Sequence, residues 1–323
     1  MPTDFNSHCL AAAFVGSVPA FALADGTVRR QSDGSDCLRA HPGLLAAARI
    51  ASGDGLLTAG EDGRVCRVRA SGDSEELARA PRKWITSVAQ ARGRLAYSSG
   101  KLVWLHGPGG VRKLASKRNV RDIAFAPDGG RLAIAQQDSI TIHATAAADE
   151  APLELPWNDI HHAATFSPDG CYLLVASQDT FMHGWRLADR RHFRMLGYPA
   201  RVTDWAFSTN GQFFATSGAS AAIVWAFMGE DGPMGRSAIE VARREGSVVT
   251  AVAWHPRRDV LAIGWSDGAV SVAAKDTHDA ASNTRKLAHA PITSVSWSTE
   301  SDSVAFGSAK GECGVLDDGE ACA

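Results

Sequence analysis

A pattern of three short runs, in each of which apolar and polar residues alternate, recurs along the chain. The plainest copies are VRDIAFAPDGGRLAIAQQDSITIH from Val120, HHAATFSPDGCYLLVASQDTFMHGW from His161 and VTDWAFSTNGQFFATSGASAAIVW from Val202. Weaker copies begin at Val249 and Ile292. Alternation with a period of two predicts a β-strand with one buried face, so each copy predicts three strands joined by tight turns.

The residues between the runs are those that tight turns require. In two copies these residues are Pro-Asp-Gly, at 127–129 and 168–170. Proline presets its φ angle, aspartate bonds to nearby backbone amides, and glycine tolerates a positive φ. These turns therefore support the prediction of short antiparallel strands.

Eight units of this kind account for nearly the whole chain. The segment ITSVAQARGRLAYSSGKLVWL fits the template, and LAAARIASGDGLLTAGEDGRVCR matches the opening stretch LAAAFVGSVPAFALADGTVRR. No break interrupts the rhythm, so we predict a single domain over residues 1–323, with 318–323 as a short C-terminal tail. The first apolar residues of the units are Leu10, Leu45, Ile85, Val120, His161, Val202, Val249 and Ile292, at intervals of 35 to 47 residues.

A fourth strand fits between successive copies. Four strands per unit and a period of about forty residues are typical of a β-propeller, whose blades are four-stranded sheets. The sequence therefore predicts an all-β fold with eight blades. The last blade needs residues 2–6 as its fourth strand, because little of the chain follows Leu316. The segments that fit as fourth strands in other blades are Arg112–Ala115, Leu153–Leu155, Phe193–Leu196, Ile239–Ala242 and Lys286–Ala288.

The turn motifs resemble those of the WD40-repeat family. Ala-Pro-Asp-Gly at 126–129, Ser-Pro-Asp-Gly at 167–170 and a Ser-x-Asp shortly before Trp185 carry the resemblance, which extends over about residues 8–317. The chain has no Trp-Asp dipeptide, although His41 and His289 lie where that family keeps its histidine. The resemblance implies a propeller that presents loops to other proteins. It also implies blades held mainly by sheet packing, because most of them lack the full Asp-His-Ser/Thr-Trp hydrogen-bond set.

The opening stretch also resembles a secretory signal peptide, because its apolar run ends in Ala-Leu-Ala at 22–24. Signal peptides begin with a positively charged segment, whereas MPTDFNSH carries Asp4 and no Lys or Arg. The match between this stretch and the following unit favours retention. Cleavage after Ala24 stays as the alternative, and it predicts an exported protein with seven blades.

Composition and charge narrow the classes of function. Apolar residues make up 45% of the chain and charged residues 21%, which is typical of a globular protein. A formal net charge of −2 does not favour nucleic acid or a membrane as a partner, and each apolar stretch is interrupted before membrane-spanning length. Six scattered cysteines without a C-x-x-C motif favour reduced thiols, so we expect a cytoplasmic protein.

The sequence offers little that is typical of an enzyme. It has no H-E-x-x-H and no P-loop motif, and the residues that precede the first strands are of mixed types that form no ring of metal ligands. We therefore predict no catalytic residue, no bound metal and no cofactor. The alternative is a propeller enzyme, a hydrolase or lactonase, that holds a metal ion in a central channel.

The loops that precede the first strands, and the turns between second and third strands, are rich in cations and tryptophan. Trp and Arg are enriched at binding hot spots. We therefore predict a non-catalytic scaffold, a subunit of a complex, that presents this face to one or more proteins or peptides, acidic or phosphorylated ones above all. The predicted partner-binding residues are Arg82, Lys83, Trp84, Arg118, Arg121, Gln137, Trp157, Gln178, Arg201, Arg244 and Trp265.

Overall fold

The computed structural model describes residues 2–31, 36–50, 53–147, 150–157, 159–279, 284–300 and 302–317. Its regular elements are all β-strands within these ranges, and none of the described residues forms a helix that could cross a membrane. The predicted C-terminal tail lies outside the described residues. The chain divides into two compact units, and the prediction of a single domain stays a prediction.

One unit comprises Ala40–Arg69 and Asp73–Gly197 and contains four sheets, which we number as blades 2 to 5. The strands of blade 2 are β6 (Leu44–Arg49), β7 (Leu56–Gly60), β8 (Arg64–Val68) and β9 (Ser74–Arg79), and those of blade 3 are β10 (Ser87–Ala91), β11 (Arg94–Ser99), β12 (Leu102–Gly107) and β13 (Gly110–Ala115). The strands of blade 4 are β14 (Asp122–Phe125), β15 (Arg131–Ala135), β16 (Ser139–Ala144) and β17 (Leu153–Pro156), and those of blade 5 are β18 (His161–Phe166), β19 (Tyr172–Ser177), β20 (Met182–Arg186) and β21 (Arg191–Met195).

The other unit comprises Met1–Arg39, Ala70–Gly72 and Tyr198–Ala323 and contains blades 1, 6, 7 and 8. Blade 8 takes its fourth strand, β1 (Thr3–Asp4), from the start of the chain, and blade 1 follows with β2 (Cys9–Val15), β3 (Val18–Leu23), β4 (Thr27–Arg30) and β5 (Asp36–Arg39). The strands of blade 6 are β22 (Trp205–Phe207), β23 (Phe213–Thr216), β24 (Ala222–Ala226) and β25 (Ile239–Val241). The remaining strands are β26 (Val249–Trp254), β27 (Val260–Trp265), β28 (Ala269–Ala274) and β29 (Thr284–Lys286) of blade 7, and β30 (Ile292–Trp297), β31 (Ser303–Ser308) and β32 (Glu312–Asp317) of blade 8.

Each sheet is an antiparallel meander in chain order, except that β1 completes blade 8. Thr3 pairs with Cys313 and Asp4 with Glu312, so the predicted use of the first residues as the fourth strand of the last blade is confirmed. Eight four-stranded sheets also confirm the predicted all-β propeller class with eight blades.

The stretch that resembles a signal peptide forms β2 and β3 of blade 1. Cys9 pairs with Leu23, and Val15 with Val18, across a tight turn at Gly16. Phe14, Leu23 and the other core-facing side chains of the two strands are buried. The alternation of small and large apolar residues in this stretch is therefore the pattern of a buried hairpin.

The Pro-Asp-Gly turns form as their residues predict. Asp128 Oδ1 accepts a hydrogen bond from the Gly130 amide over 2.8 Å, and Asp169 Oδ1 accepts one from the Cys171 amide over 2.9 Å. Gly129 has a φ of 71°, in the left-handed region that glycine adopts most readily. These turns fix the register between the first and second strands of their blades.

Side chains on the first strands tie neighbouring blades together. In blades 4 and 6, the third residue of the repeat, counted from the first apolar position, is an aspartate that accepts a hydrogen bond from a backbone amide of the next blade. Asp122 Oδ2 accepts from Ala164 N over 3.0 Å, and Asp204 Oδ2 accepts from Val252 N over 2.8 Å. These bonds place the loops that enter successive blades side by side.

The hydrophobic core lies between neighbouring sheets. Leu57, Ile85 and Tyr97 belong to one buried cluster of blades 2 and 3. Val252 and Trp265 belong to a cluster of blades 6 and 7. Burial of such large side chains is the main source of stability in each unit.

Candidate protein-interaction surface

The loop that joins blade 2 to blade 3 holds an exposed tryptophan between two anchored ends. The amides of the buried residues Ala80 and Ile85 donate to carbonyls of the turn at 60–63 over 2.8 and 3.1 Å. Arg82 has a left-handed backbone conformation, with a φ of 59°. Trp84 lies between the anchored residues Ala80 and Ile85, and it is 62% exposed.

The loop that joins blade 3 to blade 4 is fixed against the turn between the second and third strands of blade 3. Ser116 N donates to Lys101 O, and Val120 N donates to Gly100 O, each over 2.8 Å. Lys101 and Arg121 are exposed in this region. Neither side chain forms a hydrogen bond or an ion pair with any residue that the structure describes.

A hydrogen bond between first strands brings these two loops together. Ser87 Oγ in β10 donates to Asp122 Oδ1 in β14 over 2.9 Å. Trp84 precedes Ser87 by three residues, a span of at most about 10 Å in extended chain, and Arg121 adjoins Asp122. The exposed group formed by the two loops and the turn is called the Trp84 patch here, and it comprises Arg82, Lys83, Trp84, Lys101 and Arg121.

The Trp84 patch combines an apolar surface with unpaired positive charge. The side chains of its four cations have no ionic partner in the described parts of the chain. An indole ring contributes a large contact area at a low entropic cost, and guanidinium groups donate paired hydrogen bonds to carboxylates or phosphates. This chemistry suits an anionic segment that also carries an apolar side chain.

Three other residues of the predicted set are exposed near the Trp84 patch or elsewhere in the same unit. The Arg118 Nε atom lies 3.4 Å from Asp138 Oδ2, and both side chains face solvent. This ion pair therefore contributes little to stability, and Arg118 stays accessible to a partner. Gln137 and Gln178 are exposed in the turns of blades 4 and 5. Arg201 is exposed too, but it belongs to the other compact unit.

The prediction that Trp265 lies on the exposed face is wrong. Trp265 is fully buried at the end of β27, and its Nε1 atom donates to Ser271 Oγ over 2.7 Å. Arg244 is only partly exposed, because both of its terminal nitrogens bond to Asp267 over 2.8 and 2.7 Å. The Arg244 guanidinium carbon also lies 5.6 Å from the centre of the Trp265 ring. Trp265 is therefore not accessible to a partner, and the Arg244 guanidinium is already paired within blade 7.

Trp157 is half-buried and covers the outer part of blade 5. Its ring stacks on His192, with centroids 4.1 Å apart, and the Arg194 guanidinium lies 4.8 Å from its centre on the exposed side. His183 lies beneath, with a centroid distance of 4.5 Å. Trp157, which follows β17 of blade 4, therefore packs on blade 5, and only part of its surface is open to solvent.

Two buried histidines of blade 5, His161 and His183, lie near Trp157 and the partly buried His192. His183 Nδ1 lies 3.0 Å from His192 Nε2, and His161 Nδ1 donates to Gln136 O over 2.8 Å. Burial, followed by the charges of the neighbouring His192 and His161, lowers the pKa of His183 to about 4. In the described residues, no group of three or more His, Cys, Asp or Glu side chains is arranged to hold a metal ion.

One segment has the spacing of a catalytic motif that sequence reasoning did not register. Residues 264–268 read Gly-Trp-Ser-Asp-Gly, which fits G-x-S-x-G. In hydrolases that motif joins a strand to a helix, whereas here it joins β27 to β28. The Ser266 hydroxyl accepts from Val248 N over 3.0 Å and lies 3.1 Å from the Ser247 hydroxyl. Ser266 therefore has a structural role in a tight turn.

Two blades contain hydrogen bonds at the positions of the Asp-His-Ser/Thr-Trp set of the WD40 family. In blade 2, His41 bonds to Asp62 and Thr58 over 2.9 and 3.0 Å. In blade 6, Tyr198 lies where the histidine is expected, and its hydroxyl accepts from Trp225 Nε1 over 2.7 Å. Sequence reasoning found His41 but missed Tyr198, because a tyrosine in that loop does not match the family pattern.

Comparisons with known proteins support the fold. Residues 224–300 match the family model of the anaphase-promoting complex subunit 4 WD40 domain. The crystal structure of the computationally designed Ika8 protein is similar over 98% of both chains, with a TM-score of 0.78 and 15% sequence identity. No curated protein matches the sequence significantly. The chain thus resembles WD40-type propellers, and at this identity the structural likeness concerns the fold alone.

Proposed function

We propose that this protein is a non-catalytic interaction propeller that binds an acidic segment of a partner protein through the Trp84 patch. WD40 domains generally bind proteins or peptides, and they are generally not catalytic. The observation that carries the proposal is an exposed tryptophan beside four cations whose side chains have no partner among the described residues.

The physical chemistry of the Trp84 patch sets what it can recognise. Burial of Trp84 against an apolar side chain would supply most of the affinity, as large aromatic anchors do at hot spots. The cations would orient carboxylates or phosphates and speed association at low salt. We therefore expect affinity to fall as ionic strength rises.

A matched pair of charge-reversal variants tests this function. Arg82→Glu with Arg121→Glu reverses two charges of the Trp84 patch. Lys113→Glu with Arg190→Glu reverses two exposed charges elsewhere in the same unit and changes the net charge equally. Each variant and the wild type are purified from the native cell, and the proteins that accompany them are identified by mass spectrometry.

The proposal predicts that one or more partners are lost from the patch variant and kept by the control variant. Competition with a soluble poly-glutamate peptide should displace the same partners. Equal recovery of every partner by all three proteins would exclude the Trp84 patch as the binding surface.

We also propose that the protein works as a subunit of a complex in the cytoplasm. The family model matched by residues 224–300 describes a domain of a complex subunit, which supports the first part. The buried hairpin formed by β2 and β3 supports retention of the opening stretch. Intact-mass measurement of the native protein tests this, because a chain that begins at Asp25 would contradict it.

A further inference from the structure

Two buried cysteines lie together where blades 1 and 8 meet within one compact unit. Cys9 begins β2, Cys313 lies in β32, and both side chains are buried. An ideal Cβ atom on Gly307 would lie 2.2 Å from the Sγ of Cys9 and 3.3 Å from the Sγ of Cys313. The two sulfur atoms are therefore no farther apart than the sum of these distances. Gly307 leaves them room because it has no side chain.

The surroundings favour the protonated form of the Cys9 thiol. The hydrogen bond to Cys313, together with burial, raises the pKa of the Cys9 thiol well above its ordinary value. Both cysteines are free in this structure. A neutral, buried thiol reacts slowly, so oxidation requires access to the sulfurs.

The strand that covers this region is short and can open. β1 has only two residues, both exposed, and Thr3 pairs directly with Cys313. The Phe5 amide donates to Gly311 O over 2.9 Å. The centroids of the Phe5 and Phe21 rings lie 6.3 Å apart. Few buried contacts hold such a segment, so its local opening costs much less than global unfolding.

We propose that Cys9 and Cys313 form a redox latch, a disulfide that joins blade 1 to blade 8 under oxidising conditions. The oxidant is a small-molecule disulfide such as oxidised glutathione. One cysteine thiolate attacks it, which forms a mixed disulfide and releases one glutathione thiolate. The other cysteine thiolate then attacks the mixed disulfide and releases the second. The two cysteine protons leave with the two glutathione thiols, so one protein disulfide forms for each oxidant reduced.

The position of the latch makes its effect large. The disulfide would enclose residues 10–312, nearly the whole chain. It would also hold β1 and β2 beside β32 when the short strand opens. We expect the unfolding equilibrium constant to fall about a hundredfold, because a disulfide that closes a long loop constrains the unfolded chain strongly. This inference is independent of the Trp84 patch.

The test is oxidation of the folded protein followed by mapping of the cross-link. Purified protein is incubated with oxidised glutathione, remaining thiols are alkylated in denaturant, and peptides are identified by mass spectrometry. The matched control is the Cys37→Ser/Cys171→Ser variant, which removes the two cysteines that are exposed among the described residues and keeps the pair. Urea unfolding is compared before and after oxidation, and again after reduction with dithiothreitol.

We expect a peptide that links Cys9 to Cys313 in both the wild type and the control variant, and none in Cys9→Ser. Oxidation should shift the urea midpoint upward, and dithiothreitol should reverse the shift. If Cys9 and Cys313 stay fully alkylatable after oxidation, or end as separate glutathione adducts, the proposal is wrong. This readout on the wild type decides the question even if Cys9→Ser fails to fold.

Discussion

Blades 3 and 7 each combine an arginine in the entering loop with a tryptophan, but the two tryptophans have opposite environments. The loop entering blade 7 carries Arg244, which bonds to Asp267 and lies over the buried Trp265. The loop entering blade 3 carries Arg82, whose side chain has no partner among the described residues, and the exposed Trp84. An arginine in a loop and a tryptophan near a turn therefore do not by themselves indicate a binding surface.

The difference lies in the turn between the second and third strands. In blade 7 this turn supplies Asp267 to the loop residue, and in blade 2 it supplies Asp62 to His41. The turn of blade 3 reads Ser-Gly-Lys and offers the cation Lys101 instead. Like charges cannot pair, so the cations near blade 3 stay free for an external anion.

The largest expected effect separates the two tryptophans. Trp265→Ala should destabilise the protein by about 3–5 kcal/mol, because it empties a fully buried site and removes the hydrogen bond to Ser271. Trp84→Ala should change stability by less than about 0.5 kcal/mol, because the side chain is exposed. Urea unfolding of both variants checks this, and similar losses would contradict the burial of one and the exposure of the other.

A second prediction concerns His183, whose ring packs against that of Trp157. The pKa of His183 is about 4 in the folded protein, below the ordinary value of 6.5. The unfolded chain thus binds a proton more readily between these values, so stability falls as the pH drops from 6.5 towards 4. Between pH 7 and pH 5 we expect a loss of about 2 kcal/mol from this group. His183→Gln should remove that part of the pH dependence, and an unchanged urea midpoint profile would contradict the assignment.

A smaller effect should follow from loss of the Arg244–Asp267 pair. Arg244→Met should cost about 1–2 kcal/mol, since both side chains are partly exposed and solvent screens them. The pKa of Asp267 is lowered to about 2 by its bonds to Arg244. The stabilisation is therefore complete above the unfolded pKa near 3.8 and is lost as the pH falls towards 2. Unfolding of wild type and variant at pH 7 and pH 3 should show the difference narrowing, whereas a constant difference would contradict it.

A small effect on stability is also expected from giving blade 3 the acidic turn that it lacks. Lys101→Asp should change stability by less than about 1 kcal/mol, because a new surface ion pair contributes little. Partner affinity should nevertheless fall about tenfold, since the aspartate removes one cation and competes for others. Lys101→Gln separates the two contributions, and an affinity unaffected by both variants would remove Lys101 from the Trp84 patch.

Much of the fold could be predicted from the sequence, because period-two alternation and Pro-Asp-Gly turns are local signals. The eight sheets and the use of the first residues in blade 8 followed from counting such units. The burial of Trp265 could not be read in the same way. Its position near a turn indicates exposure, and only the bond to Ser271 and the cover by Arg244 show otherwise.

The candidate site was predicted only in part for a similar reason. Arg82, Lys83, Trp84 and Arg121 were found because they stand in loops next to first strands. Lys101 was missed, although the turn between second and third strands was the right place to look. Whether a loop cation has an ionic partner depends on the turn that packs against the loop. The two segments are distant in sequence and meet only in the folded protein. The residue in this turn is the sequence signal that distinguishes Arg244 from Arg82. The acidic Asp267 predicts that Arg244 is paired, and the basic Lys101 predicts that Arg82 is not.

The central claim is that a partner binds through Trp84, and one titration tests it most directly. The dissociation constant of a partner captured by the wild type is measured for the wild type and for Trp84→Ala, with urea unfolding as a check on the fold. The claim predicts an affinity at least about tenfold weaker for the variant, as expected for a hot-spot tryptophan, with unchanged stability. Equal affinities of the two folded proteins would contradict it.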